Sequence, residues 1–251
     1  MHNDDFPHDL CVLERGWLSS NSLLMLGQTP TLVDTGHVSH APQLQQLLKH
    51  HLGEQSLTRV INTHLHSDHC GANALLQHIY PDVHIGIAPG QWGEVENWDL
   101  MQALHAGIGQ SCPPFAAKEV LQPGTEICIH QRVWQIHAAP GHDHDAILLF
   151  APEEGILVSG DAFWENGFGV VFAELEKEDG FTQVRQTLNM IEGLNPSWVV
   201  PGHGRLFSQV KDCLTQAYRK LDYFETHPHA HARYAVKVLI KFKLMLVEQM
   251  T

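Results

Sequence analysis

The sequence predicts a single α/β domain, and two patterns along the chain carry that prediction. Short apolar runs bounded by Gly, Pro and polar residues are typical of β-strands, whereas apolar residues repeating every three or four positions are typical of helices. Segments of both kinds are interspersed along the 251 residues, without an internal repeat or a low-complexity linker. A chain of this length can bury a large core, so we predict one domain over residues 1–251.

The first part of the chain places predicted strands and helices in turn. A turn-rich link at 27–30 separates two apolar runs and favours a hairpin. The segments with strand character are 22–26, 31–33, 58–63 and 83–88. The segments with helical spacing are 42–52 and 71–80.

Residues 89–120 interrupt this alternation and are predicted to form an insertion. They contain Trp92, Trp98, a predicted helix at 100–106 and a Pro-Pro stop. The later segments with strand character are 126–130, 133–138, 146–150, 155–159 and 198–200. The later helical segments are 181–194, 207–224 and 233–250, of which the last two predict a C-terminal helical extension near 207–251.

Charge and composition narrow the class of partner. Asp and Glu number 28 against 15 Lys and Arg, and this formal charge of −13 disfavours binding to a phosphate backbone. The apolar segment 234–247 is interrupted by three lysines and cannot span a bilayer. The five cysteines form no Cys-x-x-Cys pair, and the acidic N-terminus lacks the features of a signal peptide. We therefore expect a cytoplasmic protein with a small-molecule substrate, and neither nucleic acid nor a membrane as partner.

The strongest functional signal lies in residues 63–71, Thr-His-Leu-His-Ser-Asp-His-Cys-Gly. Imidazole and carboxylate groups bind zinc and similar divalent ions without thiolates. His64 and His66 lie on the same side of an extended segment, so both can reach one ion. Asp68 and His69 follow the predicted turn and can face a different point.

Three later motifs each place one ligand-type residue directly after an apolar strand and a glycine. These residues are His142, Asp161 and His203. Glycine lets the backbone turn sharply, so that the next side chain projects from the strand end. Because the chain has 20 histidines, scattered surface histidines are the alternative interpretation. Four strand ends directed at one edge favour a metal cleft instead.

Residues 63–71, followed by His142, Asp161 and His203, resemble the metallo-β-lactamase superfamily, and within it the glyoxalase II-like hydrolases. The resemblance extends from the strand end at Asp34 to about residue 205. It implies an αββα sandwich, in which two mixed sheets lie face to face between outer helices. It also implies two metal-ligand sets bridged by Asp161, one of His64, His66 and His142 and one of Asp68, His69 and His203.

The implied cofactor is a pair of divalent metal ions, with zinc favoured and iron or manganese as alternatives. Two neighbouring ions lower the pKa of a shared water, so that hydroxide is available near neutral pH. Asp161 would hold both ions and Asp68 would orient the metal-bridging hydroxide, so these two are the predicted catalytic residues. The implied reaction is hydrolysis of a thioester, ester or lactone. The sequence has no Gly-x-Ser-x-Gly nucleophile motif.

Substrate choice is predicted to depend on the loops around the cleft. Residues 91–115 are expected to form a lid in which Trp92 or Trp98 meets the substrate. Trp164 follows Asp161 as a candidate apolar wall, and Arg205 is a candidate anion contact. Core packing is the alternative interpretation for each tryptophan.

Two features stand outside the family pattern. Residues 143–145, Asp-His-Asp, replace the small hydroxyl residue and Pro-Gly usual in such hydrolases, and either orient His142 or form a polar loop. Cys70 is interpreted as structural rather than metal-binding. The alternatives to a hydrolase are an oxidoreductase with a single iron, resembling persulfide dioxygenases, and a noncatalytic binding protein on the same scaffold.

Overall fold

The computed structural model describes residues 6–16, 18–99, 112–171 and 180–248. Within these residues the strands form two mixed sheets that face each other, and helices cover the outer face of each sheet. The αββα sandwich implied by the sequence resemblance is therefore confirmed.

The first sheet keeps its strands in chain order. Its strands are β1 (Leu10–Leu13), β2 (Ser22–Met25), β3 (Thr31–Val33), β4 (Arg59–Ile61), β5 (His84–Ile87) and β6 (Glu119–Val120). β1, β2 and β3 are antiparallel neighbours, which confirms the predicted hairpin. β3 to β6 run parallel, so their carboxyl ends lie at the same edge of the sheet.

The second sheet is mainly an antiparallel meander. Its strands are β7 (Glu126–Ile129), β8 (Arg132–Ala138), β9 (Ile147–Ala151), β10 (Ile156–Gly160) and β11 (Trp198–Pro201). β7 to β10 pair antiparallel in sequence order. β11 returns after a long helical connection and pairs parallel with β10, so the carboxyl ends of these two strands adjoin.

The helices lie in two outer layers. The first layer contains α1 (Ala41–Leu52), α2 (Ser67–Cys70), α3 (Asn73–Ile79) and α4 (Trp92–Glu96). The second contains α5 (Gly180–Leu194), α6 (Val210–Thr226) and α7 (Pro228–Glu248). The sequence pattern started the last helix near residue 233, whereas the structure starts it at Pro228, because proline is tolerated in the first turn of a helix.

Strands buried on both faces send alternate side chains into different cores, because side chains along a strand alternate in direction. In β2, Leu24 packs under the first helical layer, whereas Leu23 points between the sheets. In β9, Leu148 faces the second helical layer and Leu149 the space between the sheets. Trp134 is fully buried in that central core. The sandwich is thus held by three apolar layers, which leaves its edges for polar residues.

The predicted insertion at 89–120 begins with a 3₁₀ turn at Pro89–Gln91 and α4, and ends in β6. The predicted helix at 100–106 lies outside the described residues, so the lid stays a prediction. Among the residues that are described, no helix is both long and apolar enough to span a membrane.

Candidate metal centre

Four strand ends bring ligand-type side chains to one edge of the sandwich. The residues that follow β4, β8, β10 and β11 are His64, His142, Asp161 and His203. A Cβ at Gly202 would overlap the carboxylate of Asp161, so the chain requires glycine where it passes the site. The glycines noted before these residues therefore serve close approach as well as turning.

Three histidines form the first group of candidate metal ligands, and these groups are called ligand groups below. Nδ1 of His66 lies 3.0 Å from Nε2 of His64 and 2.9 Å from Nε2 of His142. Burial, followed by the neighbouring histidines, lowers the pKa of His64 well below its usual value. Burial and His66 also lower the pKa of His142. Neutral imidazoles offer the lone pairs that a metal ion requires.

Asp68, His69 and His203 form the second group, with their ligand atoms within 4.8 Å of one another. Oδ2 of Asp68 lies 3.1 Å from Nε2 of His203. Nε2 of His69 is buried and makes no hydrogen bond within the described part of the chain, although Oδ1 of Asp161 is 3.2 Å away. A buried nitrogen without a hydrogen-bond partner is costly, and a metal ion would satisfy it. The donor set therefore fits divalent metal ions.

Asp161 lies between the two groups. Its Oδ2 is 3.4 Å from Nε2 of His142, and its Oδ1 is 3.2 Å from Nε2 of His69. One carboxylate oxygen thus faces each group, which is the geometry that a bridging ligand needs. Burial opposes ionisation of Asp161, but the charges of His203 and His69 outweigh it and hold its pKa well below the usual range.

The far ring nitrogens of two ligands have acceptors of their own. Nδ1 of His69 donates to Oδ2 of Asp34 at 2.8 Å, and Nδ1 of His142 donates to the carbonyl oxygen of Val170 at 2.6 Å. The other oxygen of Asp34 accepts the Thr63 N–H at 2.8 Å. Burial lowers the pKa of His69, but the carboxylates of Asp161 and Asp34 outweigh this effect and raise it well above its usual value. Such acceptors fix the orientation of a ligating imidazole.

Sequence reasoning did not assign a site role to Asp34 or Val170. Asp34 follows β3, which pairs parallel with β4. A carboxylate at that strand end could have been predicted to lie near the residues that follow β4. Val170 acts through its backbone carbonyl, which leaves no signal in the residue type.

Trp164 is the candidate substrate residue that the structure places against the ligands. Its Nε1 donates to Oδ1 of Asp161 at 3.2 Å, and its ring meets His203 edge to face at 5.3 Å. Lys220 of α6 contacts the loop that contains Trp164, because its Nζ donates to the Phe168 carbonyl at 3.2 Å. Burial among aromatic rings lowers the pKa of Lys220 to about 8. Sequence reasoning missed Lys220, because its partners are distant in sequence.

The other substrate candidates make different contacts. Trp98 is 8% exposed and donates from Nε1 to the Cys112 carbonyl. It packs in the first outer core, which is the apolar layer between the first sheet and its helices. This packing favours the core interpretation for Trp98. Trp92 is half-buried and donates from Nε1 to Glu96 on the same helix, and Arg205 is exposed after the last ligand. Their contacts with substrate stay predictions.

Cys70 is fully buried beside the ligand loop. Its Sγ lies 3.4 Å from the Leu65 carbonyl and 3.5 Å from Sγ of Cys112. The hydrogen bond with Cys112, followed by burial, raises the pKa of the Cys70 thiol well above its usual value. This environment supports the structural interpretation of Cys70.

Two facing mixed sheets lie between helices, and His and Asp side chains that could hold metal ions gather at one edge; these features define the class of protein. The family model described as Metallo-beta-lactamase superfamily matches residues 15–203, and the chain belongs to that superfamily. Superfamily members are metal-binding enzymes, in agreement with the ligand groups in this structure.

Two relatives and one solved structure illustrate the similarity. The chain is 28% identical over 209 residues to a probable metallo-hydrolase of Methanocaldococcus jannaschii, covering 81% of this chain and 94% of that protein. It is 26% identical over 173 residues to a hydroxyacylglutathione hydrolase of Thermosynechococcus vestitus, covering 67% of this chain and 60% of that protein. A metallo-beta-lactamase family protein of Thermus thermophilus superposes with a TM-score of 0.67 at 20% identity, covering 84% of this chain and 79% of that chain. The last comparison shows the fold alone.

Proposed function

We propose that this protein is a binuclear metal-dependent hydrolase that cleaves the thioester, ester or lactone bond of a small molecule. The observation that carries the proposal is the pair of ligand groups that meet at Asp161, whose two oxygens face different groups. Similarity to a probable metallo-hydrolase and to a hydroxyacylglutathione hydrolase supports hydrolysis as the reaction class.

The proposed cofactor is zinc in both positions, with iron or manganese as the alternatives. One ion would be held by His64, His66 and His142, the other by Asp68, His69 and His203, with Asp161 shared between them. When bound, such ions supply Lewis acidity and lower the pKa of water to near neutrality.

The proposed role of Asp68 is to orient the attacking water. Burial favours its neutral form, but the hydrogen bond with His203 and the charge of His69 outweigh it and hold the pKa of Asp68 below its usual range. An ionised carboxylate accepts a hydrogen bond from the water and so directs an oxygen lone pair towards the scissile carbonyl. Trp164, which lies against Asp161 and His203, would exclude solvent from that carbonyl and contact the organic part of the substrate.

The proposed mechanism needs no nucleophile from the protein. Cys70 follows His69 in sequence, yet its thiol packs against Leu65 and Cys112 and has a raised pKa. A protonated, buried thiol is a poor nucleophile. We therefore assign the attack to water.

Metal analysis together with hydrolysis assays tests the proposal. We expect about two ions per chain, with His203→Ala lowering the content towards one, because the second group then loses a ligand. Asp68→Asn keeps the side-chain size but removes its charge, and should lower kcat for thioester, ester or lactone hydrolysis by about 10²-fold or more. His84→Ala, an exposed histidine on β5, is the matched control and should change neither quantity.

A single iron ion per chain that His203→Ala leaves unchanged would contradict the binuclear hydrolase and favour the oxidoreductase. An unchanged kcat in Asp68→Asn would contradict the role assigned to that carboxylate.

A further inference from the structure

The loop 161–170 carries three groups that contribute to the metal centre. Its first residue is Asp161, whose two carboxylate oxygens face the two ligand groups. The indole of Trp164 donates a hydrogen bond to Asp161. The carbonyl of Val170 accepts a hydrogen bond from His142. The position of this loop therefore affects the bridging carboxylate, the candidate substrate wall and the orientation of one ligand.

The loop lies outside the strands and helices that the structure describes. Trp164 and Gly167 exchange two backbone hydrogen bonds, of 2.7 and 3.2 Å, and so form a tight turn. The N–H of Gly169 donates to the carbonyl of Asp161 at 2.8 Å and closes the loop. These bonds fix the shape of the loop, whereas its position on the sandwich also depends on contacts with neighbouring elements.

Lys220 of α6 contacts the loop at two consecutive residues. Its Nζ donates to the carbonyl of Phe168 at 3.2 Å and lies 4.9 Å from the centre of the Phe168 ring. Its aliphatic chain packs against Gly167, since a Cβ at that glycine would lie 2.7 Å from Cδ of Lys220. The lysine is therefore joined to the turn that carries Trp164 by a hydrogen bond and by close packing.

The last helix also packs against this ammonium group. Nζ of Lys220 lies 4.7 Å from the centre of the Tyr234 ring on α7 and 5.8 Å from that of Phe224 on α6. The negative face of an aromatic ring attracts a cation. Burial lowers the pKa of Lys220 to about 8, so the side chain keeps its charge at pH 7. Within the described ranges no Asp or Glu forms an ion pair with it.

We propose that Lys220 is a positioning residue, which fixes the loop 161–170 and through it Trp164 and the neighbouring metal ligands. It acts through the loop, without contact to the substrate. The C-terminal helices thus act on the metal centre although they supply none of its candidate ligands. The expected effect on catalysis rests on the proposed hydrolase function, whereas the expected effect on metal binding does not.

Metal affinity gives the first test. Lys220→Met keeps a long side chain but removes the ammonium group, and should lower zinc affinity about fivefold, because the loop then holds Asp161 and His142 less firmly. Competition with a chromophoric chelator at pH 7 measures the affinity. Lys211→Met removes the same charge from an exposed position on α6 and should leave the affinity unchanged.

A second variant guards against a general effect on folding. Lys220 is half-buried, so the fold should tolerate its replacement, and urea unfolding checks this. Lys220→Gln, which is polar but uncharged, should give the same loss of zinc affinity as Lys220→Met. An unchanged zinc affinity in both variants would overturn the positioning role.

A double-mutant cycle tests whether Lys220 acts through Trp164. With phenyl thioacetate as substrate and saturating zinc, Lys220→Met should raise KM about fivefold and change kcat by less than about twofold. In the Trp164→Ala background the same substitution should leave KM nearly unchanged, because the side chain that it displaces is already absent. Equal increases of KM in both backgrounds would overturn the proposal, since the lysine would then act independently of Trp164.

The two measurements separate this inference from the proposed function. If the protein hydrolyses no thioester, ester or lactone but Lys220→Met and Lys220→Gln lower zinc affinity, the proposed function is wrong and the positioning role stands. If hydrolysis is observed but zinc affinity is the same in the natural sequence and in both variants, the proposed function stands and the positioning role is wrong.

Discussion

At the level of single residues, the acceptors bonded to Nδ1 of His69 and of His142 leave Nε2 of each ring available to a metal ion. Asp34 performs this task for His69 and also accepts the N–H of Thr63, the residue before the first ligand. One carboxylate therefore orients His69 and also holds the backbone just before His64. Its φ of +58° is a conformation that Asp and Asn tolerate better than other residues with side chains.

Asp34→Asn should lower metal affinity about tenfold or more, because the uncharged amide holds His69 less firmly. Asparagine keeps the size and tolerates the backbone conformation, so the fold should be retained. Competition with a chromophoric chelator measures the affinity, and circular dichroism checks the fold. Asp9→Asn, which removes an equal charge from an ion pair with Arg132, is the control. Equal affinities in the two variants would show that Asp34 does not support the centre.

Trp98 is expected to contribute mainly to stability, and Trp164 mainly to substrate binding. Trp98→Ala should lower the free energy of unfolding by about 3–5 kcal/mol, because the indole packs in the first outer core against Phe115. Trp164→Ala should lower it by less and mainly raise KM, since Trp164 lies against the metal ligands. Chemical unfolding and steady-state kinetics on both variants measure the two effects. If Trp98→Ala mainly raised KM and Trp164→Ala mainly lowered stability, Trp98 would belong to the predicted lid and Trp164 would not contact the substrate.

At the level of elements, short apolar runs made the strands predictable, and long-range packing decided what the strand ends meet. Apolar runs such as 147–151 place successive residues in different cores, so a continuous apolar run is the expected sequence of a strand buried on both faces. The short helix α4 was not predicted as a separate element, because a helix of five residues has too little periodicity to be recognised. Its position beside residues 143–145 required the structure.

The packing of α4 predicts a pH dependence of stability. The folded pKa of Glu94 is raised to about 7, so between its ordinary value and about 7 the folded state binds more protons than the unfolded state. The contribution of Glu94 to stability therefore falls as pH rises through this range. After allowance for solvent screening, Glu94→Gln should be about 1 kcal/mol more stable than the natural sequence at pH 8, with the difference vanishing near pH 4.

Urea unfolding at a series of pH values measures this difference. Glu96→Gln removes an equal charge from the same helix and separates the contribution of Glu94 from that of net charge. A difference that stays constant from pH 4 to pH 8 would show that Glu94 is not crowded by the loop.

For the whole molecule, we expect the fold to survive removal of the metal ions. The three apolar cores are formed by strands and helices, whereas the ligands sit at strand ends along one edge. Protein stripped with a chelator should keep its far-ultraviolet circular dichroism, and its Tm should fall by about 10 °C because bound ions stabilise the native state by mass action. Return of zinc should restore the Tm. Loss of helical signal on stripping would show that the metals are needed for folding.

The gathering of the candidate ligands at one edge, the glycines before them and most strands and helices could be predicted from the sequence. These features are local, because ligand chemistry belongs to the residue type and periodicity to a short segment. Only the packed structure showed that Asp34 and Val170 orient ligands, that Lys220 holds the Trp164 loop, and that Glu94 meets residues 143–145. It also separated Trp164 at the metal centre from Trp98 in the core. Each of these outcomes depends on contacts between residues far apart in the chain, which arise only when both sheets and their loops are packed together.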